Sequence, residues 1–251
     1  MTSKVLNALA DYTVLLKWIA FLIAAFGFVW SMQLFIAGNA YYSVKNSIEI
    51  WQLSPDKAST KKVNNALGKI DRALNYFPNN ALYYQIQGQL FEWKVIAEAK
   101  AENLDGVSTG PTNKAINLQN AAKSYEQSLN LRPSWSGSWI GLASVKRQQG
   151  ELDNQFYGYL ESANRAGPQD AILHKFIVDF GLQVFSARSF HYVKIKEKLK
   201  HHLNLGIENP LSRDFVLKTI QKHNASEAVC RWLRDASYPV KKRIPNCIIY
   251  N

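Results

Sequence analysis

The stretch that decides the fold is residues 121–143, which read AAKSYEQSLNLRPSWSGSWIGLA. A small residue, an aromatic residue, a second small residue and a proline follow one another there as Ala121, Tyr125, Ser128 and Pro133. The first three lie three or four residues apart, so they share one face of a helix. Because proline cannot continue a helix, we expect this helix to end before Pro133.

The same spacings occur 55 residues earlier in the chain, at Ala66, Ile70, Ala73 and Pro78. An aromatic residue follows each proline by six positions, Tyr84 in the first copy and Trp139 in the second. Small residues allow neighbouring helices to approach closely, and aromatic rings fill the space that remains between them. The recurring pattern therefore predicts helices that pack in repeated pairs.

This pattern resembles the tetratricopeptide repeat, which combines an aromatic residue and a Leu-Gly pair on its first helix with small residues, an aromatic residue and a final proline on its second. The resemblance implies that the repeats are packed by Ala66, Ala73, Pro78, Tyr84, Gly88, Ala121, Tyr125, Pro133, Trp139 and Leu142. Two positions depart from the family pattern, because Gln87 stands where Leu is usual and Ser128 where Ala is usual. The two copies lie 55 positions apart instead of about 34, which predicts an insertion that includes a polar loop over 102–112.

Glycine and proline residues divide the chain after the N-terminal apolar segment into helical segments. We predict helices over 56–77, 80–102, 113–131, 135–149, 152–166, 169–187, 190–205, 210–223 and 224–235. No apolar run alternates in the way that a sheet requires, so the predicted fold class is all-α. We expect tetratricopeptide-like helical repeats over 54–168 and a basic helical region over 169–251, with Gly206 ending one helix. An unrelated helical bundle is the alternative.

A long apolar segment precedes these helices. From Trp18 to about Ala37 the chain has the length that a helix needs to cross the hydrocarbon core of a membrane. Trp18 at one end, and Tyr41 with Tyr42 at the other, match the aromatic residues that are enriched at membrane interfaces.

We therefore predict a transmembrane anchor over 18–42 and a cytoplasmic tail over 1–17. The lysines near the two ends of the segment give little bias, and the orientation follows from a short tail before a large C-terminal domain. The alternatives are a buried helix of a soluble core and a signal peptide that is cleaved near 38–40.

The net charge of +11 is concentrated near the C-terminus, because residues 186–251 hold 13 Lys and Arg against 5 Asp and Glu. Four lysines alternate along one predicted helix, at Lys194, Lys196, Lys198 and Lys200. A basic patch is typical of proteins that bind anionic lipid headgroups or acidic glycans, and it is also typical of a solvated helix surface. Because the sequence has no nucleic-acid-reading motif, we expect no nucleic acid partner.

The chain has two cysteines, Cys230 and Cys247. Outside the cytoplasm, a disulfide between them would hold the C-terminal tail against the helix of Cys230 and stabilise the fold by about 3 kcal/mol. In a reducing compartment both would be free thiols. We expect the tail, which contains Pro239 and Pro245, to have no helix of its own.

Catalytic and metal-binding motifs are missing from the sequence. It has no His-Glu-x-x-His, no Gly-x-Ser-x-Gly and no phosphate-binding Gly-x4-Gly-Lys motif. The adjacent His201 and His202 point to different faces of a helix, which makes them poor joint ligands. We therefore expect no enzyme activity, no cofactor and no metal site.

The resemblance to tetratricopeptide repeats also implies a concave face, lined by the first helix of each pair, that binds a peptide or a partner protein. The residues on this face would be Gln85, Gln89, Glu92, Ser144, Arg147 and Gln148. The alternative is that they are ordinary polar residues of exposed helix surfaces.

An anchor, a short helical array and a basic C-terminal region with two cysteines are together similar to the VpsP family of polysaccharide biosynthesis proteins. The similar features are the segment 18–42, the two repeat motifs, and CRWLR at 230–234 with Cys247. The resemblance implies a non-catalytic, single-pass scaffold of the bacterial inner membrane, with a periplasmic C-terminal domain. Its partners would be other proteins of an exopolysaccharide assembly or export machine. The alternatives are an acidic-glycan-binding module and a periplasmic assembly adaptor or chaperone unrelated to polysaccharide.

A reporter enzyme fused after Asn251 tests the predicted topology. We expect a reporter that functions only outside the cytoplasm to be active, and both cysteines to react with thiol reagents only after reduction. Reporter activity restricted to the cytosol, together with two free thiols, would contradict the prediction.

Overall fold

The computed structural model describes the backbone of residues 2–105 and 110–247 and the side chains of residues 15–102 and 113–247. All regular structure in these residues is helical, which confirms the predicted all-α fold class. The elements are α1 (Thr2–Leu53), a 3-10 turn (Pro55–Lys57), α2 (Thr60–Tyr76), α3 (Ala81–Asp105), α4 (Gly110–Leu131), α5 (Ser136–Gln149), α6 (Asn154–Ala166), α7 (Ala171–Ser186), α8 (His191–Glu208), α9 (Pro210–Lys222), α10 (Ser226–Trp232) and α11 (Tyr238–Arg243). The predicted helices after residue 80 begin and end within three residues of the observed ones. The centre of the predicted polar loop, 106–109, lies outside the described residues.

The chain forms two compact units, Met1–Val107 and Ser108–Asn251. In the first unit, α1 and α2 form an antiparallel hairpin, and α3 packs beside both helices. Aromatic contacts join α1 to α3, because the rings of Tyr41 and Tyr83 lie 5.8 Å apart and those of Trp51 and Trp93 lie 5.7 Å apart. The core of this unit is formed by buried apolar residues of all three helices, including Val44, Ile48, Trp51, Val63, Ile70, Ile86 and Leu90.

The two halves of α1 have different surroundings. Residues 15–36 are almost all exposed, whereas Ala37, Val44 and Trp51 are buried against the rest of the first unit. Among the described residues, α1 is the one helix that is long and apolar enough to cross a membrane. The folded part of the unit therefore covers α1 from Ala37 onwards and leaves a mostly apolar surface of about six turns, over residues 15–36, uncovered.

In the second unit, consecutive helices pack as neighbours, α4 with α5, α5 with α6, and α7 with α8. The first helices of successive pairs, α5, α7 and α9, also contact one another in that order. Helix pairs stacked in this way form a helical-repeat solenoid, so the predicted tetratricopeptide-like architecture is confirmed. The pairing continues after residue 168, where the sequence pattern fades. The predicted domain boundary at that residue stays a prediction.

The turn between α5 and α6 shows how the sequence ends one helix and begins the next. Gly150 has a φ of 79°, a left-handed conformation that glycine adopts readily at the end of a helix. Asp153 caps α6 by accepting the backbone N–H of Phe156 at 2.9 Å. Lys146 bonds the carboxylates of Asp153 and Glu151 at 2.8 and 2.6 Å, and the bond to Asp153 contributes most to raising the lysine pKa.

The two departures from the tetratricopeptide pattern are both explained by polar contacts between helices. Gln87 on α3 donates a 2.8 Å hydrogen bond to the carboxylate of Asp71 on α2. Ser128 on α4 is fully buried, and its hydroxyl lies 2.8 Å from the hydroxyl of Ser138 on α5. A hydroxyl pair satisfies both buried groups, so serine is acceptable where alanine is usual.

Two sequence-based expectations are wrong. Gly206 does not end a helix but lies inside α8, where a Cβ atom would come within 2.9 Å of Cγ2 of Val216 on α9. Glycine is therefore explained there by the close approach of two helices. The C-terminal tail is not free of helix, because Tyr238–Arg243 forms α11 with a proline in its first turn. Val240 and Ile244 anchor this helix in the apolar core around α8.

A close helix contact at a glycine lies between α4 and α5. A Cβ atom added to Gly141 would lie 2.4 Å from the ring of Tyr125, which is itself 1% exposed. Trp139 extends from the same helix to the preceding turn, where its indole N–H donates to the carbonyl of Pro133 at 2.9 Å. An aromatic residue and a small residue of the segment 121–143, Tyr125 and Gly141, are thus in direct contact between α4 and α5.

Replacing Gly141 with alanine tests this contact. The added methyl group must displace the Tyr125 ring, so we expect Gly141→Ala to lower the free energy of unfolding by about 1–3 kcal/mol. A Cβ atom added to Gly158 in α6 would meet no atom within 4 Å, and Gly158→Ala should be neutral or stabilising by up to about 1 kcal/mol. Denaturant unfolding followed by circular dichroism measures both changes, and equal effects of the two substitutions would contradict the packing argument.

Candidate partner-binding face

The first helices of the pairs in the second unit are connected by polar contacts on one face. Arg147 on α5 donates through Nη2 to Oδ2 of Asp179 on α7 at 2.8 Å and to the side-chain oxygen of Gln183 at 2.5 Å. The guanidinium also lies 5.7 and 5.8 Å from the ring centroids of Phe176 and Phe180. Arg147 therefore fixes α5 against α7 by charge and by contact with aromatic rings.

The polar row continues on both sides of Arg147. Gln148, the residue after Arg147 on α5, donates to the hydroxyl of Ser144 one turn earlier at 3.4 Å, and both side chains are half-buried. Towards α9, the hydroxyl of Ser186 lies 3.3 Å from Nδ1 of His223, whose pKa is lowered chiefly by burial. We refer to the surface formed by Ser144, Arg147, Gln148, Asp179 and Gln183 as the α5–α7 face.

The predicted binding residues therefore divide between the two units. Ser144, Arg147 and Gln148 lie together on the α5–α7 face, whereas Gln85, Gln89 and Glu92 belong to α3 in the first unit. Gln85 is 6% exposed, so the expectation that it lines an open surface is wrong. The tetratricopeptide pattern predicts an exposed face at Gln85, but α3 packs against both α1 and α2. Gln89 and Glu92 are half-buried.

The four alternating lysines of α8 do not form one basic surface. Residues two apart on a helix differ in direction by about 200°, so Lys194 and Lys198 share one side and Lys196 and Lys200 another. Lys198 pairs with Glu161 at 2.5 Å and holds the pKa of that carboxyl below its usual value. The ammonium of Lys194 lies 5.1 Å from the ring centroid of Tyr157, and Lys200 pairs with Glu197 at 3.3 Å.

The two cysteines are joined near the C-terminus. Cys230 on α10 and Cys247 after α11 are bonded through sulfur, with Cα atoms 5.6 Å apart. This separation is typical of disulfides. The disulfide holds the segment after α11 against α10, and α11 itself packs on α8. Together these contacts cover the apolar core at the C-terminal end of the second unit.

A buried histidine pair, which no sequence motif predicts, joins α7 and α8. Nδ1 of His174 on α7 and Nδ1 of His202 on α8 lie 2.8 Å apart, and the two side chains are 0% and 1% exposed. Burial lowers the pKa of both, that of His202 to about 3, and the neighbouring His201 lowers both further. One ring must donate and the other accept, so this contact requires that the two Nδ1 atoms share one proton.

The surroundings of this pair do not form a metal site. Among the described side chains, no group of three or more His, Cys, Asp or Glu residues could hold a metal ion. The signal that could have found the pair is that each histidine lies three or four positions from buried apolar residues of its helix, His174 from Ile177 and Val178, and His202 from Leu199.

Comparisons with known proteins identify no family. No protein-family model matches the chain, and no curated protein matches it. The solved structure of pilF from Pseudomonas aeruginosa is similar over 82% of this chain and 97% of that chain, at 15% sequence identity and a TM-score of 0.26. At that score the likeness carries no argument about fold or function.

The histidine pair makes the stability of the second unit depend on pH. The unfolded state binds protons near pH 6.5, whereas folded His202 stays neutral down to about pH 3, so acidification in this range favours unfolding. Lowering the pH from about 7.5 to about 5 should reduce the free energy of unfolding by about 2 kcal/mol for this histidine alone. Urea unfolding at the two pH values measures the loss.

Two substitutions identify the source of this pH dependence. His202→Gln removes the titrating ring, so we expect the variant to lose less stability on acidification than the wild type does. His201→Gln alters the adjacent exposed histidine, which is a smaller cause of the lowered pKa of His202 than burial, and should retain most of the loss. A pH dependence that is the same in His202→Gln as in the wild type would assign it to other groups.

Proposed function

We propose that this chain is a non-catalytic scaffold that is anchored in a membrane by α1 and binds partner proteins through its helical repeats. The observation that carries the proposal is a stack of paired helices joined in one chain to a helix whose residues 15–36 are mostly apolar and almost all exposed. Helical-repeat stacks present extended surfaces, and their common role is to bind other proteins. An uncovered apolar helix of this length is stable in a lipid environment.

The α5–α7 face is the proposed binding surface of the second unit. Its polar groups come from two helices and are already held in place by the bonds of Arg147 to Asp179 and Gln183. A rigid polar surface loses little conformational entropy when a partner binds, which favours affinity. Its mixture of amide, hydroxyl, guanidinium and carboxylate groups suits a polar peptide segment or helix of a partner.

The finer proposal is that the partners belong to a bacterial exopolysaccharide assembly or export machine and that the helical part lies in the periplasm. This proposal rests on the resemblance to the VpsP family in architecture and in the C-terminal cysteine region. The pairing of Cys230 with Cys247 supports a compartment outside the reducing cytoplasm. The anchor would then belong to the inner membrane.

Co-purification of the full chain from solubilised membranes tests the scaffold proposal. We expect the wild type to retain a defined set of partner proteins and the double variant Gln148→Lys with Gln183→Lys to lose it, because two added ammonium groups change the charge and shape of the α5–α7 face. The matched control, Gln155→Lys with Ser162→Lys, places the same charges on α6 and should retain the partners.

The outcomes separate the proposal of a scaffold that binds partners from the proposal of a role in polysaccharide assembly or export. A wild-type chain that purifies alone, or a face variant that keeps every partner, would contradict binding through this face. If the partners are retained but deletion of the gene leaves polysaccharide output unchanged, the scaffold proposal stands and the polysaccharide role is wrong.

A further inference from the structure

A cavity of about 250 Å³ lies in the first unit between α1 and α2, where the uncovered part of α1 ends. Its lining changes character along α1. Phe35 and Ile36 form an apolar end, and Asn39 and Ser43, one and two turns further, form a polar end. An amphipathic cavity of this kind suits a ligand that has an apolar part and a polar part next to each other.

The wall contributed by α2 is cationic. Lys69 donates through Nζ to the hydroxyl of Ser43 at 2.9 Å, which holds its ammonium at the polar end of the cavity. Arg72 lies three residues further along α2, and its Nε donates to the carbonyl of Gly68 within the same helix. No acidic residue lines the cavity, and among the described side chains neither cation has a carboxylate within ion-pair distance. Two such cations favour an anion between them.

The position of the cavity along α1 matches the level of lipid headgroups. At about 1.5 Å per residue, the apolar residues from Trp18 to Ala37 span about 30 Å, the thickness of the hydrocarbon core. Asn39 lies about 3 Å and Ser43 about 9 Å beyond Ala37, so the polar end of the cavity covers the depth of the headgroup layer, which is about 5–7 Å thick on each side of the core. The C-terminal end of α2 lies beside the apolar part of α1, because Phe77 contacts Trp30 with ring centroids 5.8 Å apart.

We propose that this cavity binds one anionic phospholipid, with its phosphate between Lys69 and Arg72 and the beginning of an acyl chain against Phe35 and Ile36. The inference rests on the proposed membrane anchor. The apolar end distinguishes this ligand from free phosphate, because free phosphate has no apolar part that could cover Phe35 and Ile36. The cationic wall distinguishes it from a lipid without net charge, whose headgroup brings its own cation close to Lys69 and Arg72.

Native mass spectrometry of the full chain in detergent tests the site, with phosphatidylglycerol and phosphatidylcholine as probes. We expect the wild type to retain one phosphatidylglycerol in preference to phosphatidylcholine. Arg72→Gln should reduce the retained phosphatidylglycerol by about tenfold, since a charge-assisted hydrogen bond is lost. Arg72 is exposed and its guanidinium bonds a backbone carbonyl of its own helix, so the variant should fold, which circular dichroism checks.

Lys61→Gln is the matched control. Lys61 is exposed on the same side of α2 about three turns before Arg72, so its loss changes the net charge equally but lies about 16 Å from the site along the helix. We expect this variant to retain phosphatidylglycerol as the wild type does. A similar loss in both variants would assign the binding to general charge attraction and overturn the proposal.

Two further outcomes would also overturn it. Equal retention of the two lipids would show that the headgroup charge is not recognised, and displacement of phosphatidylglycerol by excess inorganic phosphate would identify a phosphate site that does not need lipid. Cell fractionation separates this inference from the anchor proposal. A wild-type chain outside the membrane fraction contradicts both, whereas a membrane-bound chain without lipid preference contradicts the lipid site alone.

Discussion

Close packing at small residues is the constraint on which the second unit depends. At Gly141, Gly181 and Gly206, an added Cβ atom would come within 2.4, 2.7 and 2.9 Å of a side chain on the neighbouring helix. Each of these glycines joins a different pair of helices, α4 with α5, α7 with α8, and α8 with α9. Because each interface positions the next, close contacts of this kind determine the arrangement of the whole stack. Gly206 shows the constraint most clearly, because glycine weakens a helix interior in general, yet it lies inside α8 where α9 approaches closely.

The polar contacts between helices have a different role. Ser128 with Ser138, and His174 with His202, satisfy polar groups that packing has removed from water. Such pairs add little net stability, but either member left alone would be a buried group without a partner. They therefore favour one register of neighbouring helices over others. The histidine pair differs from the serine pair because its contact also depends on protonation.

The first unit combines two environments in one helix. The part of α1 from Ala37 onwards belongs to the core of the unit, with Val44, Ile48 and Trp51 buried, whereas residues 15–36 are mostly apolar and almost all exposed. The change occurs near Ala37, and the cationic residues Lys69 and Arg72 lie just beyond it. Within the first unit, the proposed anchor and the proposed lipid site therefore lie along one helix, because α1 has no break from Thr2 to Leu53.

The sequence by itself determined the helical class, the approximate helix ends and the apolar segment, because these follow from local spacing, from proline and glycine, and from the length of an apolar run. It also indicated the Cys230–Cys247 pair, since only two cysteines are present. The burial of Gln85, the pairing of Lys198 with Glu161, and the contacts of Arg147 and His174 were decided by the tertiary structure. Each depends on which helix lies opposite, often 28 or more positions away in the chain. Local periodicity gives a residue its face on a helix, but only the packing of the other helices decides whether that face meets solvent, a charge or another core.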